Sequence, residues 1–356
     1  MSGAGDGREI RFGILGTARI AEKVAAAIHA ARTARLDLIA SRDADRACQW
    51  AKVHNVPRST KGYQRVIDDP EIDAVYIPLP NSMHHHWTLK AAQAGKHVLC
   101  EKPLGVDAAQ AREMAAACRE HQVQLMDGVM WVHHPRADEM KACIAGGALG
   151  ELRRVTSAFT FHFDEIPDYD IRLDPKTAGG SLGDLGWYCC RATLWAFDQL
   201  PTRVFATARM FRDVDMNLSA ILWYDQQRMA SFDCGFDTEL RKWFEVAGTQ
   251  ASLVCDDFLR PWDQDKPRFW IHDRNGLKRE HVVQTDTAAD TAADTAADTA
   301  ADTAAMQEVL MIENFAAAVN SGVLRDDWID DAVDTQTMCD ALARSAQLEQ
   351  VIELAG

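Results

Sequence analysis

Several things are missing from this 356-residue chain. No apolar run approaches the roughly 18 residues that a membrane-spanning helix needs. The segment Met1 to Arg8 is small and polar and has none of the apolar core of a secretory leader. Basic residues are in deficit, 38 Lys and Arg against 53 Asp and Glu, for a net charge of -15. That balance argues against DNA, other nucleic acid and anionic membranes as partners. A disulfide framework is missing too: the nine cysteines are odd in number and scattered, as expected of reduced thiols. Cys189 and Cys190 are adjacent on an apparent helix and poorly placed to bridge. These absences lead us to expect a cytoplasmic protein that works on small molecules.

What is present is ordinary for a globular enzyme, with 47% apolar and 26% charged residues. The length exceeds what one hydrophobic core usually holds and suggests two domains. The first third alternates strands and helices. Ile10, Phe12, Ile14 and Leu15 form a strand that turns at Gly16, and Ile20, Val24, Ala27 and Ile28 recur at helical spacing. A second strand covers Leu36 to Ser41, followed by a helix from Asp43 to about His54. Ala74 to Leu79 and His97 to Cys100 are apolar strands around a helix from Met83 to Ala94. A helix from Asp107 to His121 and a strand from Val123 to Val129 complete the pattern. Such alternation means a parallel, doubly wound α/β sheet.

From Leu152 onward the strands lengthen and alternate cleanly. Met216, Leu218, Ala220, Leu222 and Tyr224 share one face, as do Ala230, Phe232, Cys234 and Phe236. This suits a large open, mainly antiparallel sheet with one face packed and one able to meet a partner. Helices are expected to return at Met306 to Asn320 and Asp330 to Leu354. The boundary falls near Gly128, giving domains of 8–127 and 128–356. Between Thr285 and Ala305 the chain repeats Thr-Ala-Ala-Asp, with Asp286, Asp290, Asp294, Asp298 and Asp302 four residues apart. Stacked like charges and mixed helix propensity make this an expected exposed segment. It lacks the mixed ligands and glycine of a calcium loop.

Four places carry chemistry. Gly16-Thr17-Ala18-Arg19-Ile20-Ala21 stands where a G-x-G-x-x-G turn would, with alanine at its second and third glycine positions. Gly16 can make the tight turn, and the following helix offers free N–H groups to a pyrophosphate. The second strand ends in Ser41-Arg42, a hydroxyl and a guanidinium suited to a 2′-phosphate, where an acidic residue would favour NAD. NADP is therefore expected over NAD, with Asp43 turned aside as a helix cap. Pro78, Leu79, Asn81 and His84 lie at another carboxyl end, where Asn81 and His84 could touch ribose or nicotinamide. Three successive histidines, His84 to His86, diverge by about 100° each on a helix, so no metal site is expected.

Gly95 to Pro103 is the most informative stretch. Its short strand delivers Glu101 and Lys102 to the carboxyl end, where ligands of open α/β sheets bind. The run Gly179 to Tyr188 is the second cluster. On a helix, Asp184 and Tyr188 share a face, and a phenol near pKa 10 becomes a usable base beside a cation. Lys102 could provide that charge. Tyr188 could equally be a core aromatic beside Trp187.

These pieces, in this order, resemble the glucose-fructose oxidoreductase/inositol dehydrogenase/rhizopine catabolism (Gfo/Idh/MocA) family. The resemblance runs through Phe12 to Ala18, Gly95 to Pro103, Met130 to Pro135, Gly150 to Leu152, Ile171 to Pro175 and Gly179 to Tyr188. It implies an N-terminal Rossmann domain, a C-terminal α/β domain whose open sheet often forms the oligomer interface, and Lys102 as the active-site lysine. The family's commoner Asp-x-Gly-x-His-x-x-Asp has Tyr188 at the histidine and Arg191 at the last aspartate. Tyrosine there is similar to the branch of glucose-fructose oxidoreductase, NADP-dependent xylose dehydrogenase and dihydrodiol dehydrogenase. Val132 stands where many relatives carry arginine.

The expected function is NADP-dependent hydride transfer on a sugar, polyol or cyclic diol. Tyr188 would be the general acid/base, Lys102 would lower its pKa, and Asp184 would bind substrate or orient Lys102. Arg172 and His162 are weaker candidates for substrate contact. A homodimer or higher homo-oligomer is expected. A glycosidase-like enzyme using bound NAD and a non-catalytic NADP-sensing regulator stay open as alternatives.

Overall fold

The computed structural model describes residues 8–225, 227–284 and 306–354; the Thr-Ala-Ala-Asp repeat and the first seven residues lie outside them. The chain divides into two compact units, the first holding described residues 8–133 and 306–333 and the second 134–284 and 334–354. The first unit opens with β1 (Ile10–Leu15), whose Ile10, Phe12, Ile14 and Leu15 are fully buried. Helix α1 (Arg19–Ala30) buries Val24, Ala27 and Ile28 at the spacing that puts them on one face. There follow β2 (Ala34–Ser41), α2 (Ala44–Val53), β3 (Arg58–Lys61), the single turn α3 (Gln64–Ile67) and β4 (Ala74–Ile77). Next come α4 (His84–Gln93), β5 (His97–Cys100), α5 (Ala108–Glu120) and β6 (Leu125–Asp127). Asp43 and Asp107 cap α2 and α5 by accepting from the N–H groups of Arg46 and Gln110, each at 2.8 Å.

The six strands are parallel in the order β3-β2-β1-β4-β5-β6. Strand order reverses between β1 and β4. The crevice outside the carboxyl ends at that reversal is where dinucleotides bind in this topology.

The second unit begins with α6 (Pro135–Ala145) and β7 (Leu152–His162). A five-residue π-turn (Leu182–Gly186) leads into α7 (Trp187–Phe197). Then come β8 (Arg203–Phe211), β9 (Val214–Trp223), β10 (Met229–Gly235), β11 (Asp237–Gly248), β12 (Ala251–Cys255), β13 (Arg268–Asp273) and β14 (Lys278–Val282). With β15 (Ile352–Glu353) they form a nine-stranded sheet in the order β14-β13-β12-β11-β7-β10-β9-β8-β15. Only β7 and β10 pair in parallel among its neighbours. The residues expected on the packed face of β9 and β10, from Met216 to Phe236, are all buried.

Three elements differ from expectation. Helix α6 was not anticipated, because its buried face carries Arg136, whose partner Asp257 is 121 residues away at 2.5 Å. Helix α8 (Met306–Ser321) belongs to the first unit and not to a single C-terminal domain. Its Met311, Ile312, Phe315 and Ala316 join the core cluster of β1 and α1, and the Phe12 and Phe315 rings lie 5.7 Å apart. Helix α9 runs from Asp326 to Leu348, and the chain then turns through Glu349 at φ 53° so that Ile352 and Glu353 pair with β8. Among the described residues no helix is long and apolar enough to cross a membrane, and the nine cysteines are free thiols.

Candidate active site

The turn after β1 depends on Gly16. Its φ of +112° suits glycine, and a Cβ there would lie 2.9 Å from the Leu79 side chain. Ala18 caps α1 in extended conformation and offers no side-chain acceptor to the first helical N–H groups. Those groups and the helix dipole favour an anion. Thr17, Ala18 and Ile20 are half-buried and Arg19 is exposed.

At the end of β2, Ser41 is buried and its hydroxyl accepts from the Asp43 N–H at 3.3 Å. Arg42 is exposed. The Asp43 carboxylate is turned to the start of α2. Two further residues complete this corner and were missed in the sequence. The Arg46 guanidinium donates to the Thr17 carbonyl at 3.3 Å. Tyr63 is buried; burial pushes its phenol up, and Arg42 and Arg46 pull it partly back. Arg46 follows Arg42 by four residues, a spacing that could have flagged it.

The ends of β4 and β5 divide into residues that face inward and residues that do not. Pro78 and Leu79 are buried, and Asn81 opens a short 3-10 turn. His84 is fully buried, with Nδ1 2.9 Å from the Pro103 carbonyl and Nε2 2.7 Å from the Leu79 carbonyl. Both ring nitrogens are therefore engaged by main chain, which corrects the expectation that His84 touches cofactor. It ties the β4 and β5 turns together. His85 pairs with Glu113 at 2.7 Å, and His86 stands edge-on to Trp87. The three histidines diverge as helical geometry requires.

Glu101 also turns inward. It is buried, accepts from the Tyr76 hydroxyl at 2.7 Å, and packs where a Cβ at Gly128 would come within 2.8 Å of its Oε1. Burial pushes its carboxyl up, against the pull of Lys102 and of the Tyr76 hydroxyl. It braces the turn as well, since its Oε2 also accepts from the Lys102 N–H at 3.3 Å. Lys102 itself is half-buried at the carboxyl end of β5.

In the second unit, the glycine pair shapes the turn before α7. Gly180 has φ +126°, and a Cβ there would collide with the Asp215 carboxylate. A Cβ at Gly179 would lie 2.5 Å from the Arg172 carbonyl. The close approach lets Asp215 accept from the Ser181 hydroxyl at 2.7 Å and the Leu182 N–H at 2.6 Å. The turn is a π-turn and not the regular helix expected, a device common at functional sites. Trp187 is fully buried, whereas Tyr188 is half-buried with its ring edge-to-face with Phe159 at 5.5 Å.

Asp184 accepts from Arg172 Nε at 2.9 Å, and Arg172 also reaches Asp170 at 3.2 Å. The guanidinium lies 5.9 Å from the Phe161 ring centre. His162 is 3.8 Å from Asp164 at an exposed strand end. Arg191 is buried and donates to Thr335 Oγ1 at 2.8 Å, which makes it a tie between α7 and α9. Val132 is half-buried in the short turn Met130–His133.

Known proteins share this two-part fold. A family model described as an oxidoreductase family with NAD-binding Rossmann fold matches residues 10–129, and the GFO/IDH/MocA C-terminal domain matches residues 137–254. The chain is 35% identical to an uncharacterized oxidoreductase of Rhizobium meliloti, covering 95% of this chain and 97% of that one. It is 38% identical to a D-xylose 1-dehydrogenase (NADP(+)) of Haloferax volcanii, covering 69% and 75%. Among solved structures, KijD10, a 3-ketoreductase from Actinomadura kijaniata in complex with NADP and TDP-benzene, superposes with a TM-score of 0.83. That match has 29% identity and covers 95% of this chain and 98% of the other. Fold and site together define an NAD(P)-dependent oxidoreductase. The chain belongs to the GFO/IDH/MocA family.

Proposed function

We propose that this protein is an NADP-dependent oxidoreductase acting on a sugar, polyol or cyclic diol. The observation that carries the cofactor choice is the corner at the end of β2. Ser41, Arg42 and Arg46 at this corner would suit a 2′-phosphate, and the Asp43 carboxylate is occupied in capping α2. Gly16 allows the tight turn beside Leu79 that a dinucleotide-binding loop needs. The NADP in the name of the Haloferax relative and in the KijD10 complex supports the same choice.

A bound NADP supplies the acceptor or donor of hydride. In this reading Tyr188 takes or gives the proton of the substrate oxygen. A phenol near pKa 10 needs a neighbouring cation to do so near neutrality, the role proposed for Lys102. Asp184, fixed by Arg172, binds a substrate hydroxyl. Pro78, Leu79 and Asn81 line the cofactor, with Thr17, Ala18, Arg19 and Ile20 at its phosphates. The first unit thus serves the cofactor, and the second serves substrate and assembly into a homodimer. Nine free thiols suit a reducing, cytoplasmic compartment.

The test is a fluorescence titration with NADPH and NADH. NADPH is expected to bind more tightly, and Arg42→Ala to weaken NADPH by about 10- to 100-fold, as for the loss of a charged hydrogen bond. NADH binding is expected to change little. Equal loss of both nucleotides would remove Arg42 from 2′-phosphate recognition.

A further inference from the structure

In the second unit, the chain ahead of the π-turn is rich in carboxylates. The segment 163–178, which carries Arg172, holds five carboxylates (Asp164, Glu165, Asp168, Asp170 and Asp174) against two cations, Arg172 and Lys176. Arg172 is met by both Asp170 and Asp184. Nearby, Arg212 donates to the Pro167 carbonyl and stacks on Phe211, and Arg209 is paired with Asp237 at 2.6 Å. Arg172 and Arg209 are matched by carboxylates and Arg212 is held by a carbonyl, so acids still outnumber cations here. Phe159 and Phe161 add aromatic surface beside Tyr188 and Arg172.

A phosphorylated or nucleotide-linked sugar brings two or more negative charges. Recognising it takes arginines or lysines not already matched by acids, in forked or clustered array. Here an anion would meet carboxylates in excess and would have to displace Asp170 or Asp184 to reach Arg172. Repulsion of this kind excludes ligands as effectively as contacts recruit them. A neutral ring fits, because hydroxyls can donate to the Asp184 carboxylate and C–H faces can lie on aromatic rings.

We infer that the substrate is uncharged, a free sugar, polyol or alicyclic diol, and that Asp170, Asp184 and Arg172 exclude its phosphorylated and nucleotide-linked counterparts. This rests on the proposed function and narrows it. It also separates this chain from KijD10, whose crystals contain a TDP compound.

The experiment compares kcat/KM for matched pairs with NADP, using D-xylose, D-glucose and myo-inositol against D-xylose 5-phosphate, D-glucose 6-phosphate and dTDP-glucose. At least one neutral compound is expected to turn over, with each anionic counterpart 100-fold or more worse. Asp170→Asn is expected to raise the ratio of anionic to neutral kcat/KM about 10-fold. Raising ionic strength is expected to narrow the gap, since exposed charges are screened over roughly 8–10 Å. Were Asp170 only a brace for its loop, the variant would lower both members of a pair in parallel, and the inference would fall. An anionic member used as well as its neutral partner would overturn it while leaving the oxidoreductase reading intact. Failure of every compound with NADPH bound would instead fail the proposed function, and this inference with it.

Discussion

At the scale of single residues, Tyr188 and Trp187 show why neighbours in sequence can differ in role. Helix α7 is buried almost throughout, Trp187 fully, whereas Tyr188 in its first turn is half-buried. Tyr188→Phe removes a hydroxyl and little packing. We expect kcat to fall by about 100-fold or more, the usual range for loss of a general acid/base, with NADPH affinity changed less than about twofold. A parallel loss of NADPH affinity would move Tyr188 from catalysis to cofactor binding. The place of Lys102 at the carboxyl end of β5 was legible from the short apolar strand that precedes it. That Glu101 and His84 turn inward was not legible. Their partners are a tyrosine 25 residues away and two main-chain carbonyls, and no local pattern encodes those. Arg46 was hidden for a related reason, since only the folded α2 brings its guanidinium back to Thr17.

Elements were legible where periodicity and caps agreed. The first strands and helices were found from alternation and from Asp43 as a cap, and β9 and β10 from their clean alternation. Helix α6 escaped because a buried arginine breaks its apolar stripe; α8 was found, but its place in the first unit was not, because nothing local ties Phe315 to Phe12. The start of α6 makes a measurable pH device. His134 is buried and caps the helix, its Nδ1 accepting from the Arg136 N–H at 3.0 Å. Burial, with the Arg136 charge second, pushes the His134 imidazole down to about 4. The folded state therefore binds this proton less readily than the unfolded chain, where histidine titrates near 6.5. Stability from this group is full above about 6.5 and is lost as pH falls toward 4. The loss amounts to about 3 kcal/mol at most, from about 1.4 kcal/mol per pKa unit. His134→Asn keeps a good cap without titrating. Urea unfolding at pH 7.5 and 4.5 is expected to show a shallower pH dependence for the variant, and an unchanged slope would place the effect elsewhere.

For the whole molecule, the nine-stranded sheet presents two unlike faces. Val204, Leu218, Leu222, Ala230, Phe232 and Phe244 are buried on the face that carries α7. On the opposite face Phe205, Met229 and Trp243 are half-buried, and Ile221 is 39% exposed. Apolar side chains on an exposed sheet face, with Phe205 and Ile221 paired across strands, suit an interface, and most soluble homo-oligomers close by two-fold symmetry. A net charge of -15 works against association of identical chains, so an interface must hold its charges in register; Arg241 paired with Asp233 on this same face supplies one neutralised pair. In a two-fold contact every substitution is made twice, so Ile221→Asp would place a new carboxylate on each side of an apolar seam. Light scattering after gel filtration is expected to give a mass about twice 39.5 kDa for the wild type and near 39.5 kDa for the variant. Because Ile221 points away from the packed core, far-ultraviolet circular dichroism and NADPH binding are expected to be preserved. A wild-type chain that elutes as a monomer would reject the dimer. A variant that remains dimeric would move the interface off this face, leaving its apolar row to be explained by another partner.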